Sequence, residues 1–305
     1  MKALINLGRS SLTFILVSVA IVIFVFWGMG MARNWYGPEP GYHLIDTLQT
    51  ALEETEIFLT NLLNGDMGTV ETVSGERDVA EMLWLAYKNS MGLLLMALSS
   101  ASILGVFLGI MAAIISKRHG GYFFLLATML GIAAPSFFLA VLLQNLGIKY
   151  TTTVGRMLVS MGGYAWDFKH LAMPLLILMA RPLAHVTQVT YITLAEIMDE
   201  DFIRTAFSKG LTYSRTVIVH ALKNLLIPIL TAIGVSLRFS LSILPIVEFI
   251  YAWPGMGRGI LGAIRQGQSI LVVSIALAIG LTIQVVNLGL DGLYPLLDPR
   301  LRENQ

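Results

Sequence analysis

The chain has 305 residues, of which 56% are hydrophobic and 13% charged, with no cysteine and a formal net charge of +1, and its mean hydropathy is +0.74. This balance is that of an integral membrane protein, and the near-neutral charge leaves no electrostatic footprint for nucleic acid. Without cysteine there are no disulfides, thiolate metal sites or cysteine nucleophiles, although redox compartment stays open.

Crossing roughly 30 Å of hydrocarbon takes about 20 helical residues. Six apolar runs reach that length: Leu12–Met31, Ser90–Ile115, Tyr122–Leu146, Leu171–Ile192, Leu225–Phe249 and Ile270–Leu290. The expected fold is therefore all-α and polytopic, with six transmembrane helices. Lys2 and Arg9 precede the first run and the small residues of GMGMA end it, as in a secretory signal. Its 20-residue apolar core is too long for a cleaved one, so it is expected to remain as the first helix. Residues 1–32 then form the N-terminus and first helix, 33–89 an extracytoplasmic segment, and 90–305 a core of five further helices.

The 33–89 segment opens with YGPEPG and continues with Leu44, Leu48, Leu52, Phe58 and Leu62 between acidic residues. That spacing predicts a short amphipathic helix lying across the outer mouth, serving either as a surface for a substrate-delivering protein or as a solvated cap. Basic residues are retained on the cytoplasmic side. With the N-terminus inside, inner segments hold Lys2, Arg9, Lys117, Arg118, Arg204, Lys209, Arg215, Lys223, Arg300 and Arg302, while the short outer loops hold Lys149, Arg156, Lys169, Arg258 and Arg265. Residues 33–88 add ten acidic side chains against three basic ones. Both termini are expected in the cytoplasm.

Between the fourth and fifth runs lies a polar loop, residues 193–224. Glu196, Asp199, Glu200 and Asp201 come first, then Arg204, Lys209, Arg215, His220 and Lys223. Gly210 suits the left-handed position that ends one helix, and Thr212 suits the N-cap of the next. Val217, Ile218, Ala221, Leu222 and Leu225 recur at helical spacing, which predicts one apolar and one basic face. Two covers suit the apolar stripe: the protein's own helix ends, or a groove on another protein.

Two arginines fall within the spans, Arg181 and Arg238. At a helix centre each costs about 2.5–3.5 kcal/mol on the insertion scale, so neither is expected to face lipid. They would line a pathway and recognise an anionic group such as a peptide carboxylate, or pair internally with Glu248 or with a partner subunit. His185, one turn from Arg181, is either a packed hydrogen-bonding residue or a pathway group. The five histidines show no i, i+4 pairing of a metal site. There is no GxxxxGK[ST] phosphate loop, no HExxH, no GxSxG and no paired intramembrane aspartates, which argues against an ATPase or an intramembrane hydrolase.

The loop resembles that of the permease subunits of bacterial binding-protein-dependent ABC importers of the dipeptide, oligopeptide and nickel class. That family runs approximately YVRTARAKGLS, a helix, then HALRNALLP; this chain has FIRTAFSKGLT, then HALKNLLIP. The resemblance continues in order through GDMGT at Gly65–Thr69, APSFFLAVLL around Pro135, MPLLIL from Met173, IVEFIYAWPGMGR at Ile246–Arg258 and DGLYPLLDPRLR at Asp291–Arg302. It implies a type I ABC importer permease fold with a cytoplasmic coupling helix, in a prokaryotic inner membrane. The implied partners are a second homologous permease, two nucleotide-binding ATPase subunits that use ATP and Mg, an extracytoplasmic solute-binding protein and the lipid bilayer. No cofactor is implied for this chain.

By the same resemblance Arg204, Thr205, Ala206, Lys209, Gly210, Arg215, His220 and Asn224 couple to the ATPase, and Glu248, Pro254 and Gly255 form an outer gate. Arg204 and Lys209 would pair with acidic residues of the ATPase, or be solvated or meet lipid headgroups. Substitution of Gly210 by Asp is expected to leave the protein inserted but to uncouple transport. Phe207, Ser208, Gln188 and Tyr191 depart from the family pattern and make the docking surface less basic. The implied substrate is a peptide; nickel, a glycoside or another small solute is the alternative on the same architecture.

Overall fold

The computed structural model describes residues 2–35, 44–73, 75–116 and 121–297. Among these, five helices are long and apolar enough to cross a membrane, or six if a bent pair counts as one span. Contacts divide the chain into two compact units, Met1–Ser90 with Pro254–Leu288, and Met91–Trp253 with the chain from Gly289. Of the basic residues used for orientation, Lys117, Arg118, Arg300 and Arg302 lie outside the described residues, as does the whole of the DPRLR motif.

The first unit begins with α1 (Lys2–Trp35), which packs on α2 (Leu44–Leu63). Its core joins Val22 and Phe26 of α1, Ala51 and Phe58 of α2, and Val273 and Leu277 of α11 (Ser269–Leu297). The expected amphipathic helix is present, but its buried stripe is Thr47, Ala51, Thr55 and Phe58, whereas Leu44, Leu48 and Leu52 are exposed. Threonine can take the inner face because its hydroxyl finds an acceptor there. Thr55 Oγ1 donates to Ala51 O at 2.6 Å and Thr47 Oγ1 to Leu44 O at 3.2 Å.

After α2, a hairpin unforeseen from the sequence pairs β1 (Thr69–Thr72) with β2 (Gly75–Asp78) antiparallel, Thr69 opposite Asp78 and Val70 opposite Arg77. Gly68, at φ +77°, lies just ahead of the pair, and its carbonyl accepts from Val79 N–H at 3.0 Å. The short α10 (Met256–Arg265) belongs to the same unit and buries Met256, Gly257 and Ala263.

α3 (Val79–Ser116) runs 38 residues, about 57 Å at 1.5 Å per residue. It starts well before the expected Ser90, so Val79–Asn89, assigned above to the extracytoplasmic segment, are its first turns. The second unit holds the rest of α3 with α4 (Gly121–Ala133), α5 (Ser136–Val154), α6 (Phe168–Met198), α7 (Asp201–Ser208), α8 (Tyr213–Thr216) and α9 (Leu222–Ile250). α6 is the hub and packs on α4, α5 and α9.

The third expected span, Tyr122–Leu146, is not one straight helix. It is broken at Ala134–Pro135, with a bend of 96° between Leu126–Ala133 and Ser136–Val154. Proline disfavours the helical region for the residue before it and offers no N–H to the preceding turn. Pro135 itself is extended at φ −62°, ψ 124° and stands as the N-cap of α5. Prolines alone do not force such a break, since α6 contains Pro174 and Pro182 and α9 contains Pro228 and Pro245 within continuous helices.

Candidate functional site

The polar loop folds as the expected pair of helices. α7 ends in a Schellman arrangement, in which Gly210 N–H donates to Phe207 O at 2.9 Å and Leu211 N–H to Ala206 O at 3.2 Å. Gly210 closes it at φ +79°. A Cβ at Gly210 would meet nothing within 4 Å, so the need for glycine is conformational rather than steric. Thr216 N–H donates to Thr212 O at 2.9 Å, the first helical bond of an N-cap residue, which places Thr212 as expected.

The helix that follows is not separate from the fifth span. A π-helical turn, Val217–Ala221, joins α8 to α9 with Leu222 N–H reaching back to Val217 O. One extra residue per turn rotates the faces on either side, and such turns cluster at functional positions. The apolar stripe is covered from within: Val217, Ala221 and Leu225 are buried with Ala113 of α3, Leu194 of α6 and Ile229 of α9. The choice left open above thus falls to the protein's own helices for these residues. Ile218 and His220 have side chains outside the described residues.

What remains outward is polar with a few large apolar side chains. Arg204, Thr205, Lys209, Gly210, Arg215 and Asn224 are exposed, whereas Ala206 is buried beside Ile203. Arg204 Nη1 lies 3.3 Å from Asp201 Oδ1 in an exposed i, i+3 pair, a contact of the kind that contributes little to stability. Phe202, Phe207 and Val219 are exposed among these groups. Phe202 and Val219 were not singled out from sequence, because only the packing of Val217, Ala221 and Leu225 against α3 and α6 decides which apolar residues stay outside.

Arg181 and Arg238 sit near the midpoints of α6 and α9. The Arg181 guanidinium carbon lies 4.1 Å from the centroid of the Phe239 ring, a cation–π contact that is stronger away from water. Arg181 lines a cavity of about 120 Å³ with Ser136, Ile177, Leu178, Pro182, Phe239, Ser240, Ser242 and Ile243. Arg238 is exposed on α9 next to Phe239 and does not line this cavity. His185 is half-buried, one turn after Arg181. The three residues are thus not brought into one pocket.

At the far end of α9, Glu248 is fully buried and its carbonyl accepts from Trp253 N–H at 2.9 Å. This tight turn puts Ala252 at φ +54°. Trp253 is buried under Tyr164 and Trp166, with T-shaped ring contacts at 5.0 and 5.1 Å. Tyr251 Oη donates to Ala140 O at 3.0 Å, and Gln144 Nε2 to Met161 O at 2.8 Å, so the loop after α5 is tied to the end of α9. In the first unit Pro254 O accepts from Asn89 Nδ2 at 2.9 Å, and Met256 N–H, which follows Gly255, donates to Ser90 Oγ at 2.7 Å.

Sequence reasoning missed one gripping point, although its signal is plain in the chain. Gly105 and Gly109 form a G-x-x-x-G stripe on α3, the pattern that lets apolar helices approach closely. A Cβ at Gly105 would lie 2.9 Å from Val186 Cβ, and one at Gly109 would lie 2.5 Å from Thr190 Cβ. The two glycines are what let α3 lie against α6.

Long apolar helices, a polar helical segment held against two of them and arginines at helix midpoints are the parts of a membrane transport component. Residues 105–303 match the family of binding-protein-dependent transport system inner membrane components, and the chain belongs to that family. It is thus a type I permease, the membrane part of such a system rather than its ATPase. It is 31% identical over 266 residues to a dipeptide transport system permease protein of Haemophilus influenzae, covering 80% of this chain and 79% of the relative. It is 27% identical over 298 residues, 95% of each chain, to a glutathione transport system permease protein of Escherichia coli K12. A di/tripeptide transport system permease protein of Pseudomonas aeruginosa is 28% identical over 273 residues, 81% of this chain and 80% of its own.

Proposed function

We propose that this chain is the permease subunit of an ATP-driven peptide importer, forming a translocation pathway with a second homologous permease and driven by two ATPase subunits that use ATP and Mg. The observation that carries the substrate class is the similarity along most of the chain to permeases named for dipeptides, di/tripeptides and glutathione. An extracytoplasmic binding protein delivers the peptide, both termini are cytoplasmic, and residues 193–224 dock on the ATPase.

Its coupling surface comprises Arg204, Thr205, Lys209, Gly210, Arg215 and Asn224, with Phe202, Phe207 and Val219 as apolar anchors, and His220 is assigned to coupling by its place in the motif alone. Ala206 acts from inside by seating α7. Arginine is among the residues that binding hot spots favour, and Arg204 and Arg215 stand exposed in this segment. Arg238, exposed at a helix midpoint, faces the pathway or the second permease, since an arginine facing hydrocarbon is costly. Glu248 and the turn through Pro254 and Gly255 hold the outer gate.

The test is peptide-stimulated ATP hydrolysis by the complete transporter in vesicles, with and without Gly210→Val. Valine is a harsher probe than the Asp considered above, because Asp tolerates positive φ better than a β-branched residue. The expected result is normal assembly with peptide stimulation reduced at least tenfold. Wild-type stimulation in the variant would overturn the coupling role. Wild-type transporter that is insensitive to every di- and tripeptide would overturn the substrate class.

A further inference from the structure

The cavity beside Arg181 is built to hold an anion. It lies where the chain breaks at Pro135, so the N-terminus of α5 opens onto it through Ser136. No side chain caps that terminus. Leu139 N–H, bonded to Pro135 O at 3.1 Å, is the first of α5 to find a helical acceptor, so the N–H groups ahead of it and the positive end of the helix dipole are available to a negative group.

A second observation points to a ligand independently. Ser240 is 2% exposed and lines the same cavity, yet its hydroxyl has no hydrogen-bond partner. Leaving a buried hydroxyl unpaired carries a desolvation penalty, so an occupant that accepts from it is favoured. Arg181 contributes the charge. Its contact in the structure is the ring of Phe239, which covers the face of the guanidinium and leaves the N–H edges for an acceptor. Arginine binds carboxylates through two parallel N–H bonds, and a volume of about 120 Å³ far exceeds the ~10–15 Å³ that one water needs.

We infer that the cavity formed by Ser136, Arg181, Ser240 and Ser242 is a carboxylate subsite midway along the pathway, taking the terminal carboxylate of a passing peptide. The inference rests on the importer proposed above and extends it to the chemical group that is read within the membrane. Phe239 holds the guanidinium in place between transits. The carboxylate takes the two edge N–H bonds of Arg181 and accepts from Ser240 Oγ–H and from the α5 N-terminus. One arginine with two neutral donors grips a carboxylate without making a metal-like trap, which suits a group that must leave again.

The test measures thermal unfolding of the purified complete transporter in potassium acetate against potassium chloride at equal ionic strength. Acetate is expected to raise the unfolding temperature saturably and chloride not to. Arg181→Gln is expected to abolish the acetate effect. Ser240→Ala, a milder change that keeps the fold intact, is expected to raise the half-saturating acetate concentration about three- to tenfold, the loss of one hydrogen bond. Equal stabilisation by the two salts, or an acetate effect that survives both substitutions, would overturn the subsite. Peptide-stimulated ATP hydrolysis is followed on the same preparation. Stimulation without acetate binding removes the subsite alone, whereas acetate binding without stimulation by any peptide leaves the subsite and removes the peptide reading.

Discussion

Replacing Gly109 by valine tests whether the close approach of α3 to α6 holds the second unit together. The first added carbon would lie 2.5 Å from Thr190 Cβ, 2.8 Å from Thr190 Cγ2 and 2.8 Å from the carbonyl oxygen of Thr187. Carbon contacts are most favourable at about 3.5–4.0 Å, so the helices must part by roughly 1 Å. Rotamer change does not relieve the clash, because the Thr187 carbonyl is backbone and Thr190 is fully buried. Parting α3 from α6 also loosens Gly105 against Val186, and a gap of that size forfeits a quarter to a half of each dispersion contact.

Overpacking of this kind costs typically 1–3 kcal/mol, and two further methyl groups put Gly109→Val at the upper end. The gain in helix propensity from glycine to valine offsets only a few tenths of a kcal/mol. A net loss of about 2 kcal/mol lowers the unfolding temperature by roughly 4–8 °C in a unit of this size. The control is Gly28→Val on α1, where an added Cβ meets nothing within 4 Å. Thermal unfolding of the two variants and the wild type measures the difference. Equal stability of Gly109→Val and Gly28→Val would refute the argument from close approach.

Tyr251→Phe removes the hydroxyl bonded to Ala140 O at 3.0 Å and is expected to cost about 1 kcal/mol, read as a drop of about 2–4 °C in unfolding temperature. Asp167 caps α6, accepting from His170 N–H at 2.9 Å and pairing with His170 Nδ1 at 2.7 Å, and these hydrogen bonds hold its carboxyl below the usual range. A depressed carboxyl stabilises the fold above its unfolded pKa and loses that contribution as pH falls through its folded one. Asp167→Asn is therefore expected to be less stable than wild type at neutral pH and to match it in acid below the ordinary carboxylate range, as followed by thermal unfolding across pH.

The apolar runs and the left-handed Gly210 were legible in the chain, because hydrocarbon thickness and a positive φ each restrict residue type locally. The break at Pro135 was not, since prolines at 174, 182, 228 and 245 pass through unbroken helices. What decides between them is whether neighbours re-satisfy the freed backbone groups, and that is tertiary information. The inner face of α2 was misjudged for a related reason. Leucines at 44, 48 and 52 outrank threonines by hydrophobicity, yet Thr47 and Thr55 take the buried face and satisfy their own hydroxyls within α2. The intramembrane arginines were conspicuous from their cost in lipid, but the side chains they meet depend on how α6 and α9 pack.

The way the polar segment is fastened bears on the coupling role proposed for it. A docking helix hung on flexible linkers would move without moving anything else. Here the Schellman turn at Gly210 fixes α7 to α8, and the π turn at Val217–Ala221 carries α8 into α9 without a break. Val217, Ala221 and Leu225 clamp the junction to α3 and α6, so a push on Val219 or Arg215 is resisted by packed side chains on three helices. Close-packed interiors have low compressibility and transmit strain. Displacement of the segment is then displacement of the start of α9, whose midpoint carries Arg238 and the Phe239 ring that covers Arg181. On the coupling and the subsite proposed above, docking that displaces the segment would shift Phe239 relative to Arg181 and so connect docking to release from the cavity.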